Sequence, residues 1–267
     1  MVTGAAGGLG LATSKYLVSK GYTVFALDYN EAALSAINDP KIVPVTVDVS
    51  KDKSVLAAVE MVKKTTDSIA AIVNFAGILA MGSEIEIPAS TLERILEINL
   101  VGMYRINKAF FDLYYKGRGR VINISSEYGV FQSSPFNGFY TMSKHAVEAY
   151  SDALRREFIY LDYAIPVIKI RPGAFKTNMQ GSTDKMFAKI CAETTHYKET
   201  LQKMDKLRQK GTQNARPAEE LAKVIYQALV AKKPKLAYKA NIEKGPAFLN
   251  RLPSRQQDAI YRKTLSR

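Results

Sequence analysis

Short apolar runs alternate with longer amphipathic ones along most of this chain, and that alternation restricts the fold more than any other feature. Strands are expected at 23–27, 42–47, 69–73, 121–124 and 165–170. Helices are expected at 9–19, where Leu9, Ala12, Tyr16 and Leu17 share one side, and at 54–64, with Val55, Ala58, Val59 and Val62. A third, at 146–160, carries Val147, Tyr150, Leu154 and Phe158 at helical spacing. Strands separated by helices take right-handed crossovers and form a parallel sheet covered on both faces. The expected class is therefore α/β: a doubly wound parallel sheet in a three-layer α/β/α arrangement. Pro44 argues against a hydrogen-bonded central position for its own strand. A length of 267 residues suits one such domain, 1–267. Only Met1 and Val2 precede Thr3-Gly4. The first strand is thus either unusually short or entered part-way.

Composition narrows the setting. Apolar residues make up 47% and charged residues 24%, ordinary for a globular chain. No apolar run approaches the ~20 residues needed to span a bilayer, and no signal peptide is recognised. One cysteine, Cys191, cannot form an internal disulfide, so a cytoplasmic location is expected. The net charge is +13. Between positions 232 and 267, ten Lys or Arg residues stand against only Glu243 and Asp258. That region reads first as a solvated basic tail, with contact to an anionic membrane surface as the alternative. Nucleic acid is not an expected partner, because no zinc-ligand spacing or RNA-binding signature accompanies the charge.

Thr3-Gly4-Ala5-Ala6-Gly7-Gly8-Leu9-Gly10 lies between the first strand and the first helix. Glycines there allow a tight turn and a close backbone approach to a pyrophosphate, and the helix N-terminus offers free N–H groups. An acid, Asp28, follows 24 residues after Gly4, at the end of the second strand. Its carboxylate can accept hydrogen bonds from both adenosine ribose hydroxyls and would repel a 2′-phosphate. Tyr29-Asn30 follow it, and Gly7 stands where a basic residue could have gripped that phosphate. The pattern is Rossmann-like, and NAD is expected in preference to NADP.

Tyr140-Thr141-Met142-Ser143-Lys144 opens a helix. Spacing of four places Tyr140 and Lys144 on one face, one turn apart. An ammonium beside a phenol favours the phenolate, so the tyrosine pKa is expected to fall from ~10 toward working pH. Such a tyrosine can give a proton to a developing alkoxide or take one from an alcohol. Ser125-Ser126 lie upstream at the end of a strand, where a hydroxyl could polarise the substrate oxygen.

Taken together, these motifs resemble the short-chain dehydrogenase/reductase family in its compact, single-domain branch. Thr3-Gly4, then Gly8-Leu9-Gly10, match its TGxxxGxG. Asp48-Val49 match its adenine-contacting pair. Asn74-Phe75-Ala76-Gly77 match NNAG with Phe75 as a departure. Pro172-Gly173 and Thr177 match its PGxxxT, where backbone and threonine would hold the carboxamide. The resemblance assigns Tyr140 as general acid or base. It has Lys144 hold the nicotinamide ribose, Ser126 orient the substrate oxygen, and Asn99 support a water linking Lys144 to solvent. No metal is called for. Ser126 and Tyr140 are fourteen positions apart, one more than usual, which reads as an insertion near Ser133-Ser134-Pro135, with Ser125 as the rival serine. Gly4, Gly7 and Gly10 also fit the extended branch; Asn99, the Asn-x-Ala-Gly motif and the length favour the compact one.

The family places its substrate lid at 174–216. Met179, Met186, Phe187, Ile190, Tyr197, Leu201, Met204 and Leu207 lie there, with Phe131, Phe136 and Phe139 upstream. They suggest a hydrophobic ketone or secondary alcohol, or else packing of the lid on the body. The Tyr140 helix is apolar beyond one stripe, through Ala146, Ala149 and Ala153, so a homodimer or homotetramer is expected. A non-catalytic dinucleotide sensor on the same fold is the alternative to an enzyme.

Overall fold

The computed structural model describes residues 1–176, 180–212 and 214–266. In chain order its elements begin β1 (Val2–Thr3), α1 (Gly8–Ser19), β2 (Val24–Asp28), α2 (Glu31–Ser35), β3 (Ile42–Thr46) and α3 (Asp52–Lys63). They continue β4 (Ala71–Asn74), α4 (Ala89–Leu96), a π-helical turn (Glu97–Val101), α5 (Gly102–Ala109), α6 (Phe111–Lys116), β5 (Arg120–Ile124) and a 3₁₀ turn (Glu127–Gly129). After these come α7 (Gly138–Phe158), β6 (Val167–Pro172), α8 (Gln180–Glu193), α9 (Lys198–Thr212), α10 (Ala218–Val230), β7 (Ala237–Ala240), α11 (Lys244–Leu249) and α12 (Ser254–Leu265). Thr177 and Met179 lie outside the described residues.

The seven strands pair in parallel in the order β3-β2-β1-β4-β5-β6-β7. One face is covered by α3, α5, α6 and α7 through Val55, Val59, Val62, Ile106, Leu113 and Phe158. The other is covered by α1, α2 and α10 through Leu17, Leu34, Leu221 and Ile225. The doubly wound, three-layer arrangement is thus present. Pro44 sits on β3, the edge strand, where its missing N–H leaves no ladder bond unmade. The short first strand is two residues long, yet it lies at the centre between β2 and β4. Order reverses at β1 and β4, and a doubly wound sheet opens a crevice beyond the strand ends at that point.

An ion cluster anchors α7, the helix that carries Tyr140 and Lys144. Lys169 Nζ on β6 reaches Asp152 at 2.7 Å and Glu148 at 3.2 Å, and Arg171 reaches Glu148 at 2.7 Å.

Candidate active site

The glycine-rich turn is fixed by steric closeness. Gly4 and Gly8 hold φ of 64° and 53°, in the left-handed region that favours glycine. A Cβ on Gly10 would lie 2.1 Å from the Gly4 carbonyl oxygen, so α1 can start here only if Gly10 has no side chain. Gly7 has open space around it, and the first turn of α1 carries no acid. Thr3 Oγ1 accepts the Ala76 N–H at 3.0 Å, tying β1 to the loop after β4. Asp28 accepts the N–H groups of Ala6 and Asn30, each at 3.0 Å, which sets its carboxylate beside the turn. Asp48 accepts the Ser50 N–H and hydroxyl at 2.9 and 2.7 Å. Val49 packs against Gly102, where a Cβ would come within 2.7 Å of it. Leu9 is half-buried, and Ala76 and Gly77 line the crevice side of β4, with Gly77 exposed. A glycine turn, an unencumbered helix N-terminus and an acid, in this order, fit a dinucleotide.

One motif residue is spent differently. The Asn74 side chain donates to Asn107 at 2.8 Å and Asn123 at 2.9 Å, inside a buried amide cluster that continues to Ser151. Burial of an amide demands such partners; they commit its Nδ2 to joining β4, β5 and α5, while its Oδ1 is buried without a hydrogen-bond partner among the described residues.

Asn99 lies in the π-helical turn, a distortion that often marks functional positions. Its Oδ1 accepts the Ile78 N–H at 2.7 Å, and its Nδ2 donates to the Ile78 carbonyl and to Ser143 Oγ, both at 3.0 Å. Ser143 in turn donates to the Tyr140 carbonyl at 2.8 Å. Asn99 is therefore braced against the backbone of the proposed acid–base residue. Nothing in the sequence pattern pointed to Ser143 in that role.

Ser126 lies two residues past β5, where its Oγ accepts the Tyr128 N–H at 3.2 Å and its hydroxyl favours the Tyr140 phenolate. Ser125 turns away toward Gly129, where a Cβ would be 2.3 Å from its Oγ. The loop between them and α7 carries Phe136 at φ 64°, an uncommon backbone for an aromatic residue, within the stretch where the extra position was read. Lys144 Nζ lies 5.7 Å from the Tyr140 ring centroid and donates to the Ile124 carbonyl at 3.0 Å.

The protonation balance corrects the sequence expectation. Burial raises the Tyr140 phenol above its ordinary pKa, opposed by the Ser126 hydrogen bond. Burial also lowers Lys144 to about 8. Desolvation sets the direction for both groups, and the Glu127 carboxyl adds to the rise of the phenol.

Pro172 and Gly173 end β6, and Gly173 donates to the Ala240 carbonyl at 2.9 Å. The lid contains α8 and α9. Phe187 and Leu201 are fully buried against Phe136, with Tyr197 packed 5.2 Å from the Phe136 ring, so those residues attach the lid to the body. Met186 and Ile190 are half-buried. Phe139 packs with Ala80, Ile95 and Tyr140. Glu86, which the sequence reading missed, accepts from Thr194 Oγ1 at 2.6 Å and from the N–H groups of Thr195 and His196 at 3.0 and 2.9 Å.

Residues 1–187 match the family model described as short chain dehydrogenase. The chain belongs to the short-chain dehydrogenase family. This short-chain dehydrogenase is 34% identical over 183 residues to mouse "Retinol dehydrogenase 7", covering 67% of this chain and 57% of that protein. The alignment thus spans less than two thirds of the length of that relative. It is 31% identical over 281 positions to "NADPH-dependent 3-dehydrocapnine reductase" of Ornithobacterium rhinotracheale, covering 100% of this chain and 97% of that protein. Among solved structures, a Burkholderia phymatum short chain dehydrogenase/reductase in complex with NAD superposes with a TM-score of 0.79 at 20% identity, covering 97% and 94% of the two chains. An actinorhodin polyketide ketoreductase with NADPH gives 0.75 at 24% identity, covering 90% and 94%. These structural likenesses bear on the fold.

Proposed function

We propose that this short-chain dehydrogenase interconverts a secondary alcohol and a ketone on a hydrophobic substrate, with NAD(H) as the preferred cofactor. The observation that carries this reading is the convergence of Ser126, Tyr140, Lys144 and Asn99 at the crevice where the strand order reverses. A bound nicotinamide would supply or accept the hydride. In reduction, the Tyr140 phenol gives its proton to the substrate oxygen as the carbonyl becomes an alcohol, and in oxidation it takes that proton back. Ser126, beside the phenol, turns its one hydroxyl proton to the same substrate oxygen. Lys144 holds the cofactor ribose and passes protons toward Tyr140, and Asn99 supports the water route to Lys144. Glycines 4, 8 and 10, with Leu9, receive the pyrophosphate at the start of α1. Asp28 receives the adenosine ribose, Asp48 and Val49 the adenine, and Ala76, Gly77, Pro172, Gly173 and Thr177 the nicotinamide end.

Half-buried Met186 on the lid supports an apolar substrate. The named activities of the relatives give the first panel to test: retinol, 17β-hydroxysteroids and 3-dehydrocapnine, each with both cofactors. Turnover of none of these, nor of a broader set of sugars and acyl ketones, together with tight cofactor binding, would instead favour a dinucleotide sensor. The reading includes one catalytic domain over 1–267 with its lid at 174–216, a cytoplasmic setting, and a homodimer or homotetramer. Exposed Met142 and Tyr104, with exposed Ala149 and Ala153 on α7, support the last of these. Among the described residues no helix is long and apolar enough to cross a membrane.

A further inference from the structure

Glu127 follows Ser126 and is 2% exposed, and the acid–base chemistry above does not use it. Its Oε2 accepts the backbone N–H of Glu243 at 2.8 Å. Glu243 belongs to the segment 241–243 that leaves β7 and leads into α11. That segment also presses on Gly173: a Cβ there would lie 2.1 Å from the Asn241 carbonyl and 3.1 Å from Glu127 Oε2. Asn241 holds a left-handed φ of 51°, and its Nδ2 donates to the Ala174 carbonyl at 2.6 Å. Three strand ends, those of β5, β6 and β7, are therefore knit together at one carboxyl group.

We propose that Glu127 is a positioning residue: its carboxyl straps the segment 241–243 over the Gly173 loop beside Tyr140, and the firmness of that strap depends on its protonation. The charged group facing it from the segment is another carboxyl, Glu243. From α7 it faces Tyr140, and from its own turn Tyr128, which also feels Tyr261 of α12. With acids and phenols as its titratable neighbours among the described residues, a second negative charge is unwelcome. Burial, with Glu243 adding to it and the Glu243 N–H opposing, raises Glu127 to about 7, and burial raises Glu243 as well. A carboxyl raised in the folded state stabilises fully below its ordinary range and loses that contribution as pH climbs to about 7. The strap is thus firmest in acid, loosens as pH rises toward neutrality, and stays loose above about 7.

The proposal rests on Tyr140 being the acid–base group, and its test has a readout independent of turnover. Hydrogen exchange at the Glu243 amide and the melting temperature would be followed from pH 5 to pH 8.5. In the wild type, protection and melting temperature should both fall between pH 5 and about pH 7 and change little above it. Glu127→Gln keeps an acceptor but no charge, and should flatten both curves. Glu127→Ala should lose protection at every pH. The ratio of kcat/KM at pH 8 to that at pH 6 should rise at least threefold in Glu127→Gln relative to wild type. Equal pH dependence in wild type and Glu127→Gln, or full protection in Glu127→Ala, would overturn the strap. Should exchange behave as expected while no alcohol or ketone is turned over, the strap stands and the functional reading falls.

Discussion

Tyr140 and Lys144 sit one turn apart on α7, yet burial moves their pKa values in opposite directions. The phenol is raised, so it carries its proton throughout the working range. The lysine is lowered to about 8, so its charge is present below that pH and lost above it. Ketone reduction needs both the phenolic proton and the ammonium. We therefore expect kcat/KM for reduction to be level to about pH 7 and to fall above about 8, approaching tenfold per pH unit. A profile level to pH 9.5 would contradict this. Removal of the phenolic hydroxyl is the sharper test. Tyr140→Phe should lose ~10²–10⁴-fold in turnover while cofactor affinity, measured by fluorescence titration, changes little. Retention of more than about a tenth of the rate would remove Tyr140 from the chemistry.

At the scale of elements, a polar clasp adds to the apolar seam that attaches the lid. Glu86, in the segment between β4 and α4, takes three donors from the turn joining α8 and α9, and those hydrogen bonds hold its carboxyl below the ordinary range, against a raising effect of burial. Glu86→Ala should leave the core intact and free the far end of the lid. The expected result is faster proteolysis within α8 and α9 and a raised KM; digestion at the wild-type rate would show that the apolar contacts of Phe136 with Phe187 and Leu201 suffice. Neither Glu86 nor Glu127 was visible in the sequence, because each acts across more than 100 positions and no local period marks such a pair. The strands β2 to β6 and the helices α1, α3 and α7 were legible, since buried parallel strands need apolar runs and amphipathic helices a regular stripe. β7 was not: Ala237–Ala240 is a half-exposed edge strand among lysines, without an apolar run. α11 and α12 were hidden in the same basic stretch, read as a solvated tail. The sequence opened α7 at Tyr140, two residues after its start at Gly138; the neighbourhood of Ser126, Tyr140 and Lys144 followed from motif order. The direction of the Tyr140 pKa did not, because burial is a tertiary property.

For the molecule as a whole, two electrostatic scales compete over cofactor choice. The net charge of +13 draws anions from a distance and favours the more highly charged NADP(H). Close in, Asp28 ends β2 with its carboxylate fixed by the Ala6 and Asn30 N–H groups, and Gly7 offers open space in place of a basic side chain. Salt screens the distant field within about 10 Å, whereas a carboxylate facing a 2′-phosphate across a few ångströms of partly dry space is screened far less. Disfavouring the phosphate there is worth on the order of 2 kcal/mol, some thirtyfold in affinity. The NADPH dependence named for the full-length bacterial relative makes the outcome informative rather than assured by kinship. We expect kcat/KM to favour NADH over NADPH at least tenfold on one substrate at physiological salt, and the margin to narrow as salt is lowered and the long-range field extends. Asp28→Ser combined with Tyr29→Arg should reverse the preference without altering the effect of Tyr140→Phe. Equal kcat/KM values for the two cofactors, or a preference for NADPH in the unmodified protein, would show that the field of the whole molecule outweighs the single carboxylate at the end of β2.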